Sequence, residues 1–583
     1  MAQLNVTLAD LAPRVSQCRD LPGRYNPRHC LAIYFLTLPG YSLAAPGVIL
    51  GEAMSARNGL GCTLLEGLPL KIPEGATIIG HHEAIKAERP ELLDGLPELG
   101  EKEYLVKLDG HALVVSRSSE GLANGAQTLA MLTLRHQEDT LPGSLIIDGP
   151  VCHSRGISVE LVSREIGVNL LLQIASFAAT FKANRLHLSL DADFNPGMDI
   201  PGLSGFLQTC QSHCIKVGVR LPWLGDLLAG RRQLRDAWAG IRAAARLFGA
   251  SQAVLDDPCP PNADPKQARL VMDSILRGEV GVPAVSLDAL AIIKAGCSPY
   301  QLKSVSVTGW HRLPDSGPPP PELGDLPVRI EVRAPLPGFS GLSPAAFHRD
   351  LDSAMSWLGG RQRRRLMVCF RDLGVSHLWQ NLLYPAATGL ISAWGNPREA
   401  DQAAWLFSNL LYGSSASRIM EMWEQASAAF PKGLSSDDER RLRRVAFGSW
   451  PEDEGTLAAL AGIDWGAVTR NVAAAADSLQ EAAGSLARNA ATLSGAKVAL
   501  QALSWLHCFS SLAPELERRR QSGFNEDGRT EIIASELLGS FAVWYNSLRR
   551  LQADSGLELA EMPALDRMRQ RIVAMCRSRE MFE

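Results

Sequence analysis

RGISVELVSREIGVNLLLQIASFAATFKANRLHLSLDAD, residues 155–193, places a helical run between two short strand-like runs. GISVEL and RLHLSL are brief and apolar. VNLLLQIASFAATFK repeats its apolar positions at the spacing of a helix lying on a sheet. A strand, a crossover helix and a second strand make a βαβ unit, and the crossover returns the chain so that the strands run parallel. The alternation continues through IKVGVRL from 215, SQAVLD from 251, PAVSL from 283, KSVSVTG from 303, PVRIEV from 327 and RLMVCF from 365. Helical stretches such as AWAGIRAAARLF lie between most of these runs. Eight β/α repeats in roughly 240 residues are the usual size of a TIM barrel. The connection DSGPPPPELGD between strands six and seven holds consecutive prolines and cannot be a helix interior.

The predicted fold class is α/β: a (β/α)8 TIM barrel over 149–397, preceded by a small α/β domain over 1–148 and followed by an α-helical bundle over 398–583. In the first domain EYLVKL and HALVVS flank Asp109-Gly110. That is a hairpin signal, and a type I′ turn would put both turn residues at positive φ. EGLANGAQTLAMLTL follows as a packed helix. In the last region Trp465 to Leu486 and Ala490 to Leu512 predict long amphipathic helices, with a polar loop from Arg518.

With 583 residues the chain is long enough for about three or four domains. A net charge of −4 gives no general affinity for phosphate backbones, so nucleic acid is not an expected partner. The run Arg363-Arg364-Arg365 reads as a solvated helix end. MAQLNVTLAD lacks the basic and apolar pattern of a secretory signal, and the apolar segment Leu31 to Leu50 is broken by Pro39, Gly40, Pro46 and Gly47. The expectation is a cytoplasmic protein with no membrane partner, homo-oligomerisation being left open. Eleven cysteines without a CxxC pair fit reduced thiols better than a disulfide framework. Cys210 and Cys214, on one expected helix face beside His213, read as buried thiols rather than zinc ligands.

A TIM barrel carries its chemistry at the C-terminal ends of its strands. Polar residues just after the apolar runs are therefore the candidates: Glu160 and Arg164, Asp191 and Asp193, Trp223 and Asp226, Asp256 and Asp257, Asp288, Trp310 and His311, Arg333, Arg371 and Asp372. Asp256-Asp257 is the sharpest. Two adjacent carboxylates raise one pKa, the condition for a general acid that protonates a leaving glycosidic oxygen. Acids are also favoured just before a helix, so an N-cap or solvated-loop role is the competing reading. Trp223, Trp310 and Trp394 are candidate stacking faces or barrel packing. His187, inside a strand, reads as a hydrogen-bonded core residue.

Arg155, Gly156, Lys182 and Asn184 match the opening of the catalytic barrel in glycoside hydrolase families 20 and 84, which the quoted stretch resembles. RAAARLFGASQAVLDDPCPPNADPKQARLVMDSIL, residues 242–276, resembles the strand-four region of family 84 with its Asp-Asp pair. EGLANGAQTL is similar to the glycine-rich helix of the domain preceding both families' barrels. The resemblance implies a retaining β-N-acetylhexosaminidase of the O-GlcNAcase type, acting on an amino-sugar glycan or glycoconjugate with no metal or cofactor. The substrate's own 2-acetamido oxygen is then the nucleophile. Asp256 would orient the acetamido N–H, Asp257 would be the general acid and base, and Arg164 would hold sugar hydroxyls. The pocket departs from family 84: VELVS replaces its Glu-Gly-Phe-Tyr-Gly, VTGW its WTGD, Asp191 a Lys and Arg333 an Asn. Asp191, Trp310, Arg333 and Asp372 are accordingly expected to line an altered substrate pocket. The alternative is a catalytically inactive relative serving as a glycan- or protein-binding scaffold.

Overall fold

The computed structural model describes residues 15–38, 44–59, 61–135, 139–160, 168–190, 200–255, 264–288, 307–313, 328–334, 343–359, 364–370, 383–395, 400–412, 416–432, 434–446, 454–485, 493–522, 529–555 and 562–576. The N-terminal part holds β1 (Gln17–Tyr25), β2 (Ala32–Leu36), β3 (Thr63–Glu66), β4 (Thr77–His81), β5 (Tyr104–Asp109), β6 (His111–Ser116) and β7 (Leu141–Asp148). They form one sheet in the order β1-β7-β5-β6-β4-β2-β3. The glycine-rich helix Ser119–Arg135 packs on the β5–β6 hairpin. A Cβ on Gly125 would come within 2.6 Å of a Val114 methyl, so glycine sets how closely the helix approaches.

The hairpin forms, but its turn differs from the expected one. Asp109 stays in the ladder opposite His111, and only Gly110 takes positive φ, at 69°. Neighbouring segments of the same chain claim the turn: Gly110 N–H donates to the Arg24 carbonyl at 3.1 Å, and its own carbonyl accepts from Gly75 N–H at 2.8 Å.

The barrel contains β8 (Ser154–Glu160), β9 (Arg185–Ser189), β10 (Lys216–Leu221), β11 (Gln252–Leu255), β12 (Ala284–Asp288), β13 (Val307–Leu313), β14 (Val328–Arg333) and β15 (Arg365–Phe370). All neighbours are parallel, and β15 pairs with β8 to close the ring. Each of the eight expected runs forms a strand within its described part, residues 303–306 of the sixth lying outside the described residues. The sixth runs further than expected: Trp310 and His311, expected beyond its end, lie within β13, Trp310 opposite Asp288 and Arg329. The ladder to β14 continues to Leu313, so pairing carries the strand past the apolar run that marked it. Arg365 opens β15 rather than ending a helix.

Along each strand one set of side chains meets the surrounding helices and the other points into the barrel. Val368 shows the outer set, since a Cβ on Gly389 of the helix Leu383–Trp394 would lie 2.1 Å from its methyl. Gly156 is tighter still, because its Cβ would sit 2.0 Å from the Arg185 carbonyl oxygen on the paired strand. Backbone cannot yield as a side-chain tip can. Gly156→Ala is expected to cost about 3 kcal/mol or more in equilibrium urea unfolding. A midpoint unchanged from the parent would show that the strands can part there.

The sheet's last strand and the barrel are tied through Asp148. Its carboxylate accepts from Tyr104 Oη at 2.8 Å, Trp394 Nε1 at 2.8 Å, Lys182 Nζ at 3.4 Å and the Ser16 hydroxyl at 2.7 Å. Lys182 Nζ also lies 4.3 Å from the Trp394 ring centre. Burial pushes this lysine down to about 8. Arg155, also buried, donates to Glu120 at 3.1 Å, and Asn184 donates to the same oxygen at 2.8 Å. Three residues that carry the sequence resemblance thus lie where the N-terminal domain and barrel meet, Arg155, Lys182 and Asn184, while Gly156 packs within the barrel.

Beyond the barrel the described chain is helical. Helices Trp465–Ser485, Ser494–Ser522 and Arg529–Ser555 pack in succession, with Trp505, Phe541 and Trp544 in edge-to-face contact. The second helix runs through Arg518, where a loop was expected, and an Arg519–Glu515 ion pair at 3.1 Å supports that extra turn. Among the described residues no helix is long and apolar enough to cross a membrane.

Candidate functional site

The barrel interior is charged. PVRIEV and IKVGVRL put Arg329, Glu331 and Arg333 on β14, and Arg220 on β10, at alternate positions, so their side chains share the inner face while valine, isoleucine and leucine face outward. Arg220 reaches from the third barrel strand to the seventh and first, donating to Glu331 Oε2 at 2.7 Å and to Ser158 Oγ at 2.9 Å. Arg329 lies 4.0 Å from the other Glu331 oxygen and 3.1 Å from His187 Nδ1. All five side chains are buried. Charge-assisted bonds of this kind hold the strands at fixed spacing and give the upper barrel a rigid polar floor.

His187 occupies the core role expected of it. A guanidinium can only donate, so Nδ1 accepts and the ring proton sits on Nε2. Burial, then the Arg329, Arg220 and Arg185 charges, hold its pKa well below 6.5, and the folded ring is neutral. The sign follows. In the unfolded chain the ring takes up a proton as pH drops through about 6.5, and the folded state refuses it. Stability is therefore full above that value and falls below it. His187→Gln is expected to remove about 1 kcal/mol of the stability difference between about pH 7 and about pH 5.5, read by urea unfolding at both values. An unchanged pH dependence would mean that another group carries it.

At the C-terminal end of the strands, Arg333 is the last residue of β14. It is largely buried and donates to Glu439 Oε2 at 3.1 Å. Glu439 lies on the helix Ser436–Ala446, so the helical region reaches the barrel mouth.

Of the expected site residues, Arg164, Asp191, Asp193, Asp256, Asp257, Arg371 and Asp372 lie outside the described residues. β11 ends at Leu255, the residue immediately before Asp256. Trp310 is described as part of a strand ladder, and Arg333 as the ion pair above. Trp223 and Trp394 are packing residues. Trp223 lies against Gly240 beneath the Arg232 guanidinium, and Trp394 is held by Asp148. Cys214 does not continue the Cys210 helix, because His213 caps it and Cys214 turns to φ 56°. Burial raises both thiols, to about 12 and about 11.

Arg220, Glu331, Arg329 and Glu439 do not stand just beyond the apolar runs, where the sequence points to candidates. The available signal was charge at every second position inside apolar runs. Glu439 had no such signal, since it sits in an acidic and basic surface-like helix, SDDERRLRRVA.

No protein-family model matches the chain, and no curated protein matches it. Among solved structures, that of CpGH84D superposes with a TM-score of 0.56 at 11% identity, covering 96% of this chain and 98% of that one. The Streptomyces plicatus N-acetyl-beta-hexosaminidase in complex with Thio-NAglucal superposes at 0.48 with 13% identity, covering 69% and 94%. The GH20 beta-N-acetylhexosaminidase from Streptomyces coelicolor A3(2) gives 0.47 at 12%, covering 69% and 95%. Along nearly its whole length the chain has the fold of CpGH84D, and its own eight parallel strands close into a barrel that follows a mixed sheet and precedes a helical region.

Proposed function

We propose that the chain is a retaining β-N-acetylhexosaminidase of the O-GlcNAcase type, with Asp256 and Asp257 as its catalytic pair. The observation that carries this reading is the end of the fourth barrel strand at Leu255, directly before the two acids, in a barrel built like that of CpGH84D. Strand-end position is where this fold concentrates chemistry. In the reaction, the substrate's 2-acetamido oxygen attacks the anomeric carbon and closes an oxazoline. Asp256 holds the acetamido N–H while charge develops, and Asp257 protonates the departing oxygen and then takes a proton from the attacking water. Arg164, Asp191, Trp310, Arg333 and Asp372 are proposed to shape the sugar site.

Aryl β-GlcNAc and β-GalNAc glycosides, beside the matching β-glucoside, test this directly. Cleavage of either acetamido sugar with retained stereochemistry and no turnover of the glucoside is expected, because the glucoside lacks the internal nucleophile. Efficient glucoside hydrolysis or inversion would refute the mechanism. A binding scaffold is the second reading, and one observation favours it. Arg333, at the position of a family 84 pocket residue, is already engaged by Glu439. No turnover together with saturable glycan or protein binding would decide for it.

A further inference from the structure

The opposite, N-terminal mouth of the barrel carries a cavity of about 820 Å³ where the small α/β domain meets the strand starts. Its size falls in the range of small-molecule sites, roughly 300–1,000 Å³. Arg185 opens β9, and Lys216 opens β10 opposite it in the ladder, so two cations sit side by side on the cavity wall. Lys102 adds a third from the N-terminal domain.

The acid in the wall is already engaged. Glu120 accepts from Arg155 and Asn184 on one oxygen and faces Lys102 at 3.5 Å on the other. The Arg185 guanidinium donates to Ser251 Oγ at 3.4 Å. Among the described residues neither Arg185 nor Lys216 has a carboxylate within ion-pair distance. Burial lowers the pKa of Arg185 and the Glu120 charge offsets this only in part, so an added anion is favourable there. Leu207, Cys210 and Val217 supply an apolar side.

We propose that this cavity is a second binding site, taking a small organic anion whose phosphate or carboxylate lies between Arg185 and Lys216 and whose apolar body rests on Leu207, Cys210 and Val217. An arginine fork beside a lysine suits either anion, as planar and point-charge donors together. The site is independent of the chemistry proposed at the C-terminal mouth. It lies at the other end of the strands.

Calorimetric titration of the full chain with phenyl phosphate, benzoate and neutral phenol tests the assignment. Saturable binding of phenyl phosphate or benzoate below about 1 mM is expected, with phenol at least about tenfold weaker. Lys216→Gln, at an exposed position, and Arg185→Gln should each weaken that binding about tenfold while unfolding cooperatively like the parent. Arg185→Lys should recover part of it. No saturable binding of either anion up to about 10 mM, phenol binding as tightly, or unchanged affinity in both Gln variants would overturn the proposal.

Discussion

Asp257→Asn is expected to slow hydrolysis of a β-GlcNAc glycoside with a poor leaving group by about 10²- to 10⁴-fold, the usual worth of general acid catalysis. The loss should shrink as the leaving group improves, since an activated phenolate departs without a proton. Asp256→Asn should behave differently. It removes the carboxylate proposed to hold the acetamido N–H as the oxazoline closes, and that step is common to every leaving group. Good and poor substrates should then slow alike, by about 10²- to 10³-fold. A series of aryl glycosides graded by phenol pKa separates the two residues. Equal slopes for both variants, or full activity in either, would remove the pair from the proposed roles.

Glu331→Ala carries the largest expected effect on stability. Glu331 is fully buried, bonded to Arg220 at 2.7 Å and close to Arg329. Deleting one partner of a buried charge pair costs about 3–5 kcal/mol, because the remaining cation has lost both its attraction and its access to water. Equilibrium unfolding in urea should show that loss. Replacing both partners, as Arg220→Met with Glu331→Leu, should recover much of it, since a well-packed apolar pair avoids the desolvation altogether. If Glu331→Ala unfolded at the parent's midpoint, the interior charges would not be coupled in the way their geometry states.

The fold was legible because its signals are local. Strand runs such as RLHLSL and RLMVCF, and the helical spacing of VNLLLQIASFAATFK, show which segments turn one face to a core. The hairpin around Gly110 was legible for the same reason, although the form of its turn was not. That turn is set by hydrogen bonds to Arg24 and Gly75, far from it in sequence. The extension of β13 to Leu313 has a similar cause. Trp310 and His311 do not extend an apolar run, yet pairing with β14 keeps them in the ladder.

By itself the sequence determined the order of parts, eight parallel strands with an acidic pair next after the fourth, because periodicity and chain order need no knowledge of contacts. Only the tertiary structure decided what fills the barrel and what reaches its two mouths. Arg220 meets Glu331 across 111 residues, Arg333 meets Glu439 across 106, and Trp394 meets Asp148 across 246. Such pairs depend on which residues the closed ladder brings level with one another, and on where the flanking regions dock. In a strand, a charge bound for the inside and a charge bound for solvent follow the same two-residue period. Closure of the barrel tells them apart, by removing one set from water and giving it partners.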